Sequence, residues 1–109
     1  MGLFINLGNR RGSTREFSRQ VNLRLYYKSD KWINRRNEYL ESVDNKSEIS
    51  KEYTNIVHHL KYPDLSNRDN WGSEKDRDLM AVTYDEHKRI HSKFNDISKF
   101  KQKLIKAFK

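Results

Sequence analysis

Residues 54–91 read TNIVHHLKYPDLSNRDNWGSEKDRDLMAVTYDEHKRIH and hold every histidine of the chain, as the pairs His58–His59 and His87–His91. The run Tyr53 to Leu60 carries Tyr, Ile and Val and reads as a strand. Pro63 closes it, because proline cannot donate to a ladder. Residues 61–77 contain Pro, Gly, three Asp, two Asn and two Ser, the composition of a loop. A structureless loop of that length in a small domain is usually functional. Leu79 to Val82 reads as a short second strand. Thr83-Tyr-Asp-Glu86 then has the spacing of a capping box. The Thr83 hydroxyl accepts from the Glu86 amide, and the Glu86 carboxylate accepts from the Thr83 amide. A helix therefore starts at Tyr84, with Asp85 and Glu86 at its positive end.

This layout constrains the histidines. Adjacent strand residues point to opposite faces, so His58 and His59 cannot both address one ion in the same way. One can ligate while the other faces a substrate beside it. Positions i and i+4 of a helix share a face, so His87 and His91 can reach the same ion. Neutral imidazole, dominant near pH 7, is the ligating form. Three histidines with open positions are the layout of a catalytic metal rather than of a closed structural one. A spare histidine as base, a metal for the developing charge and a basic surface suit phosphodiester hydrolysis. His87-Lys-Arg-Ile-His91 shares the spacing of the zinc-protease HExxH motif, but Lys88 stands where that chemistry needs Glu, which excludes it.

The rest of the chain is organised around this stretch. At 109 residues, 34% hydrophobic and 35% charged, it supports one small domain with a small core. There is no cysteine, so neither disulfides nor a thiolate zinc site can brace it. No apolar run approaches the roughly 20 residues of a membrane span. Met1-Gly-Leu-Phe-Ile is too short for a signal peptide, and Asn6 stands where a myristoylation signal needs Ser or Thr. The expected location is the cytoplasm. The net charge is +8, and it is uneven. Residues 1–28 carry +5, residues 92–109 carry +5, and residues 29–91 carry −2. Basic ends around a slightly acidic centre suit a polyanion, of which nucleic acid is the commonest.

Residues 1–14 read as a loosely attached arm with Arg10 and Arg11 available to phosphate. From Thr14 to Tyr27, helical spacing (Phe17, Val21, Leu25) competes with strand-like alternation (Val21, Leu23, Leu25, Tyr27), and helix is the expectation. Residues 29–42 form a clearer helix with Ser29 or Asp30 as N-cap. Trp32 belongs to its core face, and Arg35 and Arg36 are exposed or phosphate-facing. Residues 43–52 read as loop. Ile90, Phe94, Ile97, Leu104 and Phe108 continue a helical stripe to the end, with a break near Asn95-Asp96.

Several of these motifs resemble the HNH endonucleases. Tyr26-Tyr27-Lys-Ser-Asp-Lys-Trp32-Ile-Asn-Arg35-Arg36 is similar to a segment that precedes the motif in small bacteriophage-type members. Val57-His58-His59-Leu60-Lys61-Tyr62 is similar to their first strand. Glu74-Lys-Asp-Arg-Asp78-Leu79 and His87-Lys-Arg-Ile-His91 are similar to their second half. The match covers about residues 26–91. It implies an α+β fold with a ββα-metal core at about 53–97: a two-stranded antiparallel hairpin plus a helix. One or more N-terminal helices and a basic C-terminal helix, 98–109, would flank that core. Residues 1–28 would be an arm and 29–109 the nuclease domain.

By position, the resemblance makes His59 the general base, His58 and His87 metal ligands, and His91 a further ligand or a supporting partner. The central motif position falls on Asp78, with Asn70 as the runner-up at the wrong spacing, and Glu74 becomes a loop or site residue. The cofactor would be one divalent ion: Mg²⁺, Mn²⁺, Ni²⁺ or Zn²⁺. Many relatives carry zinc-knuckle cysteines at the positions of Thr83 and Glu86, and a second pair before the first strand. Their absence removes a structural zinc, and the capping box stands in at the helix start. DNA would be held mainly through its phosphates by Arg10, Arg11, Arg35, Arg36, Lys61, Lys88, Lys99 and Lys103, without sequence readout. Water activated by His59 would attack, leaving 5′-phosphate and 3′-hydroxyl ends. Alternatives are a non-catalytic nucleic-acid-binding protein of this fold, or a phage packaging accessory active only with terminase partners. A homodimer is a further expectation.

Overall fold

The register of two four-residue strands decides which side chains meet. In the computed structural model, which describes residues 13–109, β1 (Ile56–His59) pairs antiparallel with β2 (Leu79–Val82). Ile56 lies opposite Val82, Val57 opposite Ala81, His58 opposite Met80 and His59 opposite Leu79. Strand alternation then sorts the hairpin into two faces. One face, with Met80 and Val82, packs with Leu60, Ile90 and Leu104. The other, with Val57, Leu79 and Ala81, packs with Tyr26, Trp32, Tyr39, Leu40 and Trp71. Both faces are covered, so β2 is an unbroken apolar run, Leu-Met-Ala-Val, buried throughout. Burying Leu79, Met80 and Val82 contributes about 1.5–3 kcal/mol each. A bare hairpin in water is marginal, and this burial sustains it.

Helix α1 (Ser13–Lys28) and helix α2 (Asp30–Ser42) cover one face. Helix α3 (Tyr84–Lys93) and helix α4 (Lys101–Ala107) cover the other. Among the described residues the architecture is thus α+β, with four helices and one two-stranded antiparallel sheet. No described helix is long and apolar enough to cross a membrane.

Local chemistry explains the boundaries. The Ser29 hydroxyl accepts from the Trp32 amide at 3.2 Å and caps α2. Asp44 and Asn45, both left-handed at φ 60° and 53°, end it. The capping box of α3 is present in full. The expected break after α3 is a short 3₁₀ turn at Asn95–Ile97. Helix α1 forms, but the stripe that suggested it is not what it buries: Phe17 and Leu25 are exposed, and Tyr26 is fully buried. The last turn of α1 is therefore part of the core, on the near side of the boundary expected at residue 28. β1 starts three residues later than the expected Tyr53. The Thr54 hydroxyl donates to the Val82 carbonyl and accepts from the Ile56 amide, taking over the ladder there. Tyr53 instead bridges Lys46. The segment after α2 braces β2. The Glu48 amide donates to the Ala81 carbonyl at 2.9 Å, and the Glu48 carboxylate accepts from the Ala81 amide at 2.8 Å.

Glu86 is a buried junction of this frame. Its buried Oε1 accepts from the Thr83 amide at 2.8 Å and from the Ser47 hydroxyl at 2.6 Å. Burial works against its charge, but the bonds from Ser47 and Thr83 outweigh it and hold the carboxyl below its usual range. Glu86→Ala leaves these donors unpaired inside the protein, at about 1–3 kcal/mol per buried group. The expected result is a loss of about 2–4 kcal/mol in urea unfolding, against about 1 kcal/mol for Thr83→Ala.

Candidate metal centre

His58 leaves β1 on the α3 side, and His87 and His91 rise from successive turns of α3 to meet it. The potential ligand atoms of all three lie within 4.8 Å of one another. The His87 and His91 Nε2 atoms are 3.1 Å apart. Metal-bound imidazole nitrogens sit at about 2.0–2.1 Å from an ion, which places two of them about 3 Å apart. The His58 ring centroid is 5.3 Å from that of His87 and 5.5 Å from that of His91. His58 Nε2 is 2.8 Å from the Ser98 carbonyl. A carbonyl only accepts, so Nε2 carries the proton and Nδ1 keeps the lone pair for an ion.

Burial lowers the His58 pKa, with the charges of His91 and His59 adding to the effect. Burial likewise pushes His87 down to about 4, reinforced by His91 and His58. Both are therefore neutral, the ligating form, near pH 7. Burial is graded across the three: His58 is buried, His87 half-buried and His91 exposed. The cluster fits an ion with one side open to a cleft of about 590 Å³. Among its lining residues are Lys61, Asp78 and Lys99.

His59 points to the other face of β1, and its side chain has no exposed surface. Its Nε2 lies 2.6 Å from Glu74 Oε2. The ring is stacked on Tyr62 (4.1 Å, 15°) and packed against Trp32 at 4.4 Å. Its Nδ1 is 3.5 Å from the Tyr27 hydroxyl, and Tyr27 in turn hydrogen bonds Tyr62. His59 thus borders the cleft with its ring enclosed beneath Tyr27 and Tyr62, which line the cleft beside it.

The other expected site residues divide. Asp78 lines the cleft, and its backbone carbonyl accepts from the Leu60 amide at 2.8 Å, closing the hairpin end. Asn70 lies out in the loop, where its side chain donates to the Asp64 carbonyl. Lys61, Lys88, Lys99 and Lys103 are exposed, and the first and third of them border the cleft. Lys88 stands over the Tyr84 ring and Lys103 over the Phe100 ring. Arg36 is half-buried and bonds Asn37. Arg35 is occupied within the chain: it holds the Glu74 carbonyl, Glu38 and Asp76 at 2.7–2.9 Å, with 10% of its side chain exposed. That geometry makes it a brace of the loop before β2. Arg10 and Arg11 lie outside the described residues.

Sequence reasoning missed Tyr27, Tyr62 and the Ser98 carbonyl as parts of the site. Both tyrosines fall within the quoted motifs but had no role attached to them, and a backbone carbonyl leaves no mark in a sequence. No known family model, curated protein or solved structure matches this chain.

Proposed function

We propose that the chain is a metal-dependent DNA endonuclease of the HNH type. The observation that carries this reading is the convergence of His58, His87 and His91 within 4.8 Å beside a cleft that His59 also borders. An ion held by these imidazoles supplies electrostatic stabilisation of charge at a phosphate and its leaving oxygen. An all-nitrogen ligand set suits Zn²⁺ or Ni²⁺ better than Mg²⁺, which prefers oxygen. Lys61 and Lys99, exposed at the cleft, draw the DNA backbone in by charge. Asp78, on the same wall, closes the hairpin end beneath them. His59 Nδ1 takes the proton from the attacking water. For water to reach that nitrogen, the hydrogen-bonded Tyr27–Tyr62 pair has to part.

The test is nicking of supercoiled plasmid in Mg²⁺, Mn²⁺, Ni²⁺ or Zn²⁺, with a chelator control. Nicking that needs the added ion and stops on chelation is the expected result. DNA binding without ion-dependent nicking would replace this reading by a non-catalytic nucleic-acid-binding protein, which the enclosure of His59 favours. Nicking only in the presence of packaging partners would make it an accessory nuclease.

A further inference from the structure

We infer that Glu74 is the positioning residue of His59: it fixes the ring as the Nε2–H tautomer and leaves the Nδ1 lone pair toward the cleft. The inference rests on the nuclease reading for its catalytic consequence, and on geometry for the pairing itself. Glu74 comes from the loop before β2, yet its side chain is as fully enclosed as that of His59. Oε2 collects two contacts, the Tyr26 hydroxyl at 2.5 Å and His59 Nε2 at 2.6 Å. Tyr26 is the donor to Glu74, because its oxygen already accepts from the Gly72 amide at 3.0 Å. Oε1 is buried with no partner. A protonated carboxyl would use its hydrogen, and no acceptor lies at Oε1 to take one.

Burial opposes the charge on Glu74, but the bonds from His59 and Tyr26 outweigh it and keep the carboxyl below its usual range. An ionised carboxylate only accepts, so the proton between the two groups sits on His59 Nε2. In a neutral imidazole the other nitrogen, Nδ1, is then the basic one. That nitrogen faces the Tyr27 hydroxyl at the cleft.

Three supports hold Glu74 where it is. Arg35 Nε grips its carbonyl at 2.9 Å and the same guanidinium pairs with Asp76 at 2.7 Å, which pins the loop to α2. Tyr26 ties both Gly72 and Glu74 to α1. Gly72 takes φ +82°, and a Cβ there would meet the Lys31 carbonyl at 3.1 Å, so only glycine lets the loop lie this close to α2. Trp32 and Tyr62 hold the plane of the His59 ring, while Glu74 chooses its nitrogen. An unpartnered carboxylate oxygen inside a protein is costly. An apolar residue here would orphan the Tyr26 hydroxyl and the His59 Nε2–H, so part of the contact is structural; fixing which His59 nitrogen keeps its lone pair is what needs an ionised acceptor at this position, as in catalytic triads.

The experiment is a long-range ¹H–¹⁵N spectrum of the imidazoles in the full metal-free chain at about pH 8, above the ordinary histidine range. It is paired with nicking kinetics of Glu74→Ala and Glu74→Gln. The wild type should show His59 as one tautomer, with a downfield Nε2–H proton slow to exchange with solvent. Glu74→Ala should lose that proton and populate both tautomers. Its kcat should fall at least about tenfold, with KM and divalent-ion affinity unchanged. Glu74→Gln, whose amide oxygen can still accept, should recover part of both. A wild-type His59 carrying its proton on Nδ1, or split between tautomers, overturns the inference without needing any variant. A folded Glu74→Ala with wild-type kcat overturns it as well. A wild type that never nicks, yet shows the single protected tautomer, sinks the nuclease reading and supports the pairing.

Discussion

Replacing His59 by alanine abolishes ion-dependent nicking and leaves the affinity for the divalent ion unchanged: this is the first expected result. The reason is the face sorting of β1. His59 is one residue from His58, but its ring lies on the α1–α2 side, bonded to Glu74, while the three converging histidines lie on the α3 side. A general base contributes about 10²–10⁴ in rate, and the loss should fall in kcat. Alanine also empties a box lined by Trp32 and Tyr62 and orphans Glu74, so a control must separate chemistry from folding. His59→Gln keeps an amide donor for Glu74 and cannot take a proton from water. It should stay folded by circular dichroism, bind the ion as the wild type does, and not nick. Cleavage by either variant at the wild-type rate, in a preparation free of contaminating nuclease, would remove His59 from the mechanism.

His87→Ala should do the converse. It deletes one of three ligands, so the ion affinity measured by calorimetry should fall by more than the roughly 10–100-fold typical of losing an outer partner. Nicking should then return in part at high ion concentration, which it will not do for His59→Ala. Acid reveals the same residue in the metal-free chain. His58 and His87 are held neutral in the folded state, the latter with a pKa of about 4, against 6.5 when unfolded. The unfolded chain therefore binds protons that the folded chain refuses. Stability is at its full value above about pH 6.5 and declines as pH falls toward about 4. Glu74 and Glu86, both shifted down, add their losses only below the carboxylate range near 4.5. The thermal midpoint between pH 6.5 and 4.5 thus reads the histidines, and His87→Ala should flatten it. A midpoint in the wild type that does not move across that window would show that these rings are not enclosed as described.

The sequence determined the local half of this protein. Leu79–Val82 was legible as a strand because four consecutive apolar residues bounded by polar ones have few other uses. Thr83 and Glu86 marked the start of α3 because a capping box is written within four residues. Ser29 and Asp30 bracketed the start of α2, where the structure makes Ser29 the cap, and the i, i+4 spacing put His87 and His91 on one face. Alternation along β1 was enough to say that His58 and His59 part company. What the tertiary structure alone decided is the company each of them keeps. Tyr26 and Glu74 are 48 positions apart, Arg35 and Asp76 are 41 apart, and His58 and Ser98 are 40 apart. None of these contacts has a period or a local motif, since each depends on how two helices and a loop fold over opposite faces of a short hairpin. The opening pattern of four histidines is thus three that converge on one side and one that is walled in on the other. Strand geometry implied the division, but only packing could supply the carboxylate and the aromatic rings that give His59 its setting.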